Sequence, residues 1–222
     1  SSTAINGSRP PKPTCPSRRL PNSPNLNFPA PMDALDQWIA ELTGGDDRRA
    51  ETAALQIAAV GERAAGVLSQ LLASADSDTR WWAVRTLSVF PGEAVCDCLE
   101  QALADPDPAV RQCAALGLGK HLQPRAIPAL LRALSDSDSL VARLAANALV
   151  AIGASSVEPL SGLLGSASQR VQLEAARALA LIGDPGAIPA LFNALDGDST
   201  LLEYWVNEGL ERMGVGMSFF KP

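Results

Sequence analysis

The chain repeats itself every 30 or 31 residues, and that period restricts the fold more than any other feature. The apolar residue closing an alanine-rich run recurs at Ile57, Leu87, Leu118, Leu149, Leu179 and Leu210, at intervals of 30, 31, 31, 30 and 31. The last leucine of the following apolar run falls at Leu72, Leu103, Leu134, Leu164 and Leu195, at intervals of 31, 31, 30 and 31. Eleven residues before the first marker stand Asp46, Asp76, Asp107, Asp138, Ser168 and Ser199. Each is a favoured helix N-cap, whose side-chain oxygen accepts an orphan backbone N–H. Three independent markers agree, and self-similarity at this period is the signature of a solenoid.

Each unit reads as two helices. In the third, Val110, Ala114 and Leu118 form an i, i+4, i+8 stripe for a first helix, here called A. A breaker follows four residues after the first marker in most units, at Gly61, Pro91, Gly153, Gly183 and Gly214. The second helix, B, carries Ile127, Leu130, Leu131 and Leu134, and Pro128 and Pro189 sit in its first turn, where proline is tolerated. Paired alanines at 53–54, 114–115, 145–146 and 175–176 leave room for helices to approach closely. Neither helix buries its stripe alone, so stacking is obligatory. The pattern predicts an all-α solenoid, a superhelix of about five and a half helix pairs from about residue 33 to 215. In the last unit Val206-Asn207 replaces the alanine pair and Val215 to Phe220 replaces helix B, as an end cap requires.

Charge divides the chain in two. Residues 1–31 hold eight prolines, four basic residues (Arg9, Lys12, Arg18, Arg19) and no acid. With few apolar side chains this stretch cannot offset its ordering entropy, so 1–31 is expected to be a disordered Pro-rich segment and 32–222 the repeat domain. It lacks the apolar core of a signal peptide, and the longest apolar candidate, Leu144 to Ala154, is interrupted by Asn147. A cytoplasmic location without membrane contact is the resulting expectation. All 24 acidic residues lie beyond residue 31, against fourteen basic ones, a balance that argues against nucleic-acid binding.

The run Asp107-Pro108-Ala109-Val110-Arg111-x-x-Ala114-Ala115-x-x-Leu118-Gly119, with Arg80-Trp81-Trp82-Ala83-Val84-Arg85 in the second unit, resembles the HEAT-repeat proteins of the phycobilisome (PBS) lyase HEAT-like group. The resemblance covers residues 46–215 and implies the α-solenoid fold. Members include subunits that attach or remove bilins on phycobiliproteins, and adaptors. The chain is also similar in repeat plan to deoxyhypusine hydroxylase, which holds two irons through His-Glu pairs. Here the single histidine, His121, is followed by Leu122, so that chemistry and its metal are not expected.

Candidate sites are few. Arg80 and Arg111 occupy a slot filled elsewhere by Ala50, Ala142, Gln172 and Glu203. A guanidinium fork there suits a carboxylate, and the expectation is a tie between adjacent repeats. Cys96 and Cys98 align with helix B core positions, where a free thiol behaves as a small hydrophobe. Two thiols two residues apart project differently from a helix and make a poor metal site. His121 ends helix A of the third unit, where a cationic side chain favours the dipole. No catalytic constellation, metal set or cofactor site emerges. Trp81-Trp82 and Tyr204-Trp205 share two slots of units two and six. The first slot is mostly polar, so Trp81 and Tyr204 are expected to be partly exposed, either as protein-contact anchors or stacking plates for a planar ligand, or as aromatic pairs filling the ridge between repeats. Trp82 and Trp205, one position on, are expected to be more core-like.

The sequence therefore predicts a non-catalytic scaffold presenting an extended surface to a protein partner. The alternative is a bilin lyase subunit or bilin-handling chaperone, with a phycobiliprotein as partner.

Overall fold

The marked cap residues start the A helices where the period requires. A computed structural model describes residues 32–166, 168–195 and 199–215. Residues 1–31, including Cys15, and the Gly216–Phe220 part of the expected end cap lie outside them. A leading B-type helix, α1 (Met32–Leu42), precedes the first A helix, α2 (Asp47–Val60). The remaining A helices are α4 (Ser77–Leu87), α6 (Pro108–His121), α8 (Ser139–Ile152), α10 (Gln169–Ile182) and α12 (Thr200–Arg212). Between them lie the B helices α3 (Ala65–Leu71), α5 (Glu93–Ala102), α7 (Ile127–Ala133), α9 (Val157–Gly162) and α11 (Ile188–Asn193). Asp46, Asp76, Asp107, Asp138 and Ser199 each accept a backbone N–H from the first turn, whereas Ser168 holds the cap position without a side-chain bond.

The breaker slot is a backbone requirement. Gly61, Gly153, Gly183 and Gly214 all have positive φ there, between 67° and 81°. In the third unit Leu122 occupies the same slot at φ 53°, the left-handed region where a Cβ costs energy.

Apolar stripes predicted for each unit form one continuous core. Val110, Ala114, Leu118, Leu130 and Leu134 are fully buried, as are both members of the later alanine pairs. Small residues set the spacing of the A layer. A Cβ on Gly119 of α6 would lie 3.2 Å from the Ala148 Cβ of α8, and one on Gly209 of α12 3.2 Å from the Ala180 Cβ of α10. The A helices therefore lie side by side along their length, while successive B helices meet much less. The more tightly spaced layer is the inner side of the superhelix.

The stretch Ser139–Gly165 is long and apolar enough to cross a membrane by length and composition alone, a property not anticipated from its sequence. Gly153 breaks it into α8, a 3-10 turn and α9, which pack as the fourth helix pair with Val141, Ala145, Leu149 and Leu160 buried.

Arginine ties join the units on the loop side, as expected of Arg80 and Arg111. Arg80 donates Nε and Nη2 to the two carboxylate oxygens of Asp105 at 2.7 and 2.8 Å, and Nη1 to the Ser74 and Ala75 carbonyls. Arg111 repeats this one unit on, with Asp136 at 2.7 and 2.8 Å and the Asp105 and Pro106 carbonyls. Each bridging aspartate also accepts the backbone N–H of the next cap residue, Asp107 or Asp138, at 2.8 Å. The carboxylate these forks clamp is the protein's own. Burial alone would raise the Asp105 and Asp136 pKa values, but the arginine bonds and backbone N–H groups outweigh it and hold both below the usual 3.8.

Candidate interaction face

Helical geometry defines which side chains the A layer turns away from its B helices. At 100° per residue, the positions 2, 5, 9, 12 and 13 after each cap lie opposite the buried stripe at 3, 7, 10, 11 and 14. Through the six units position 5 holds Glu51, Trp81, Gln112, Arg143, Leu173 and Tyr204, and position 9 holds Leu55, Arg85, Leu116, Asn147, Arg177 and Glu208. This is the inner face.

The aromatic slots behave differently in the two units. Tyr204 is 56% exposed, as predicted, and meets Trp205 edge-on with ring centroids 5.3 Å apart. Trp205 is half-buried and packs against the core. Trp81 departs from the expectation of partial exposure: it is buried at 6%, as is Trp82, and the two rings meet at 86° with centroids 4.9 Å apart. The cause lies one turn on and one unit back. Arg85 reaches over both rings, 5.4 Å from the Trp81 centroid and 4.9 Å from that of Trp82. It also forms a two-pronged ion pair with Glu51 of α2, its Nη2 2.7 Å from Oε1. The guanidinium thus closes over the indoles, and a polar slot pattern could not show that lid.

A second arginine cluster occupies units four and five. Arg143 donates Nε to Glu174 at 2.8 Å, and Arg177 donates Nε to the same carboxylate at 3.1 Å and Nη2 to Asn147 Oδ1 at 2.7 Å. The Glu174 side chain is 6% exposed and that of Arg143 48%. Slot analysis of the sequence could have flagged this group, since positions 5, 6 and 9 there read Arg143, Glu174 and Arg177.

Among the described residues, the candidate thiols Cys96 and Cys98 and the histidine His121 are buried or half-buried. Cys96 is buried and Cys98 half-buried, both free, and burial pushes both thiols above their usual range. Such thiols stay protonated at neutral pH and act as packing groups. His121 is half-buried, and the cationic form expected of it is not favoured. Burial lowers its pKa below 6.5, a backbone hydrogen bond at Ser88 opposes the shift, and Lys120 adds to it. The imidazole is therefore neutral at pH 7, with Nε2 buried and unpartnered among the described residues. No group of three metal-binding side chains occurs among the described residues.

What the inner face does concentrate is exposed apolar surface. Of the eight large hydrophobic residues exposed among the described residues, Leu55, Leu140, Leu201 and Tyr204 lie on it, while Val89 lies in the turn after α4. Leu55 and Leu140 stand singly in separate units, whereas Leu201 and Tyr204 adjoin on α12, and adjoining exposed apolar side chains mark a contact surface.

A family model described as HEAT repeats matches residues 35–107 and 98–165, and one described as PBS lyase HEAT-like repeat matches residues 171–197. Among solved structures the chain is similar to an engineered protein at 27% identity, over 83% of this chain and 98% of that one, with a TM-score of 0.51. It is similar to the complex of CpcE and CpcF of phycocyanin lyase from Nostoc sp. PCC7120 at 23% identity, over 89% and 82% of the two chains, with a TM-score of 0.51. An archaeal HEAT-like repeats protein from Thermococcus onnurineus NA1 shares 14% identity over 83% and 81%, with a TM-score of 0.57. The last two likenesses concern the fold alone. None of the curated proteins matches the chain.

Proposed function

Given that the chain belongs to the HEAT-repeat family, we propose that it is a non-catalytic scaffold that binds a protein partner on its inner face. The observation that carries this reading is the placement of four of the eight exposed large hydrophobics on that face, Leu201 and Tyr204 side by side on one helix. A rigid array of apolar and charged side chains offers contact area with little ordering cost on binding. Anchors for such contacts are aromatic and aliphatic groups set among polar neighbours, as Tyr204 and Leu201 are. The test is site-specific photo-crosslinking in the source cell. A crosslinker at Leu140 or Tyr204 should capture one common protein, and a crosslinker at Phe192 or Pro128 of the B side should not. Capture of a common protein from the B-side positions alone would refute the assignment.

A second reading has its own support. The PBS lyase HEAT-like match over residues 171–197 ends just before the helix bearing Tyr204 and Trp205. In this reading the protein is a bilin lyase subunit or bilin-handling chaperone, and its partner is a phycobiliprotein. Co-expression with a phycobiliprotein and a bilin, followed by absorbance, separates the two. A chain-dependent chromophore band would favour the bilin reading, and its absence the scaffold.

A further inference from the structure

The inner face differs from the rest of the domain in the sign of its charge. Positions 2, 5, 9, 12 and 13 of the six units carry Arg48, Arg85, Lys120, Arg143, Arg170, Arg177 and Arg212. The acidic residues there are Glu51, Asp78, Glu208 and Glu211. This face thus holds seven of the fourteen basic residues beyond residue 31 but four of the 24 acidic ones. With Glu174 pairing Arg143 and Arg177, and Arg170 bonded to the Ser135 and Asp136 carbonyls, an inward surplus of one positive charge remains on a domain that is strongly acidic elsewhere. Charges are screened over about 8 Å at physiological salt, so a bound segment senses the face rather than the net charge of the chain.

The cluster in units four and five makes the surplus local. Arg143 and Arg177 share one carboxylate, Glu174, so one positive charge there is left unbalanced. That charge is accessible, because the Arg143 side chain is half-exposed while Glu174 and Arg177 are buried beneath it. Exposed Lys120 lies one unit before it, whereas Arg170, one unit after, turns its guanidinium to the Ser135 and Asp136 carbonyls of the loop before Asp138. Two units on, in the slot equivalent to Arg143, stands exposed Tyr204, with exposed Leu201 in the same helix.

We propose, resting on the reading of the inner face as the partner surface, that its occupant is an extended acidic segment of a protein partner. Its carboxylates meet Lys120 and Arg143, and an apolar side chain packs on Leu201 and Tyr204. Helix axes about 8–10 Å apart put Arg143 and Tyr204 roughly 16–20 Å from each other. An extended chain rising about 3.3 Å per residue covers that distance in about five or six residues. The basic segment 1–31 has no carboxylate and is the wrong sign for this surface. So small a surplus also cannot hold a nucleic-acid backbone against the acidic remainder of the domain.

Panning a random twelve-residue peptide library on the full chain tests this. The expected consensus contains two or more Asp or Glu residues and an apolar residue five or six positions from one of them. A synthetic peptide of that consensus should bind at least tenfold more weakly to a Lys120→Gln/Arg143→Gln variant, and more weakly at 300 mM than at 50 mM NaCl. The variant's circular dichroism should match the unmodified protein. An uncharged or basic consensus lost on Leu201→Ser or Tyr204→Ala would overturn the acidic assignment while leaving the inner face as partner surface. A consensus indifferent to all four substitutions would overturn both. Failure of any peptide to enrich, or concentration-dependent self-association through the acidic outer side of a second copy, would overturn the acidic-segment proposal.

Discussion

Truncating Trp81 and Tyr204 to alanine separates core from surface in a slot the sequence treats as one. Trp81 is 6% exposed, lies edge-on to Trp82 and carries the Arg85 guanidinium on its face. Removing a buried indole costs about 3–5 kcal/mol in a core that collapses only partly. Lost ring pairing contributes about 0.5–1.5 kcal/mol within that figure, and the cation–π contact a comparable amount. For a domain of this size each kcal/mol moves the melting temperature by about 2–4 °C, so Trp81→Ala should lower it by roughly 6–20 °C. Because solenoid contacts run mainly between neighbours, the loss should appear first as early unfolding of units one to three. Tyr204 is 56% exposed, and Tyr204→Ala should change stability by no more than about 0.5 kcal/mol while weakening partner binding. Urea unfolding of the two variants, followed by circular dichroism and tryptophan fluorescence, measures both. A cost below about 1 kcal/mol for Trp81→Ala would refute the burial argument, as would a large destabilisation by Tyr204→Ala for the surface argument.

Leu122→Gly should stabilise the protein by about 0.5–1 kcal/mol, since Leu122 is half-exposed and holds a left-handed backbone that glycine adopts freely; a lower melting temperature would contradict this. Gly119→Val should cost about 1–3 kcal/mol by forcing α6 and α8 apart at Ala148, read as a lower urea midpoint. The native pKa values of Asp105 and Asp136 are depressed, so their contribution is present above about pH 3.8 and is lost as the pH falls through the lower native values; Asp105→Asn/Asp136→Asn should flatten the melting temperature across that acid window. His121 is also depressed in the folded state, so the unfolded chain binds its proton first and stability declines as pH falls below 6.5 towards the native value; His121→Gln should remove that part of the pH 7.5 to 5.5 decline.

Period, caps and core were legible because packing repeats them. Every A helix must start at the same distance from the same buried leucine, so Asp46, Asp76, Asp107, Asp138, Ser168 and Ser199 all fall at N-caps. The exposure of Trp81 was not legible, because what buries it is a side chain from its own helix held in place by Glu51 of the preceding unit. A slot average reports what is common to six units, and the lid over Trp81 exists in one. His121 shows the same limit: its place at a helix end is a sequence property, but the burial that keeps it neutral, against an opposing backbone hydrogen bond at Ser88, exists only in the packed fold.

The arginines carry this distinction furthest. In units two and three Arg80 and Arg111 stand four residues after the cap and are used up on the loop side, each saturated by its own aspartate and two carbonyls. In unit four that slot is Ala142, and the arginine stands one residue later, at Arg143. One residue is 100° of helix, which is enough to carry the guanidinium from the loop ladder to the inner face. There it shares Glu174 with Arg177 instead of having a carboxylate to itself. The tie between units four and five is kept, now through Glu174 of α10, and the unbalanced charge becomes available to a partner. On the proposed reading, a shift of one position in an otherwise regular repeat turns a stacking device into a binding one. Moving the arginine back together with its missing ladder carboxylate, as Ala142→Arg/Arg143→Ala/Ser166→Asp, should abolish binding of the acidic peptide while leaving the chain helical; retention of binding would show that the position of this charge does not matter.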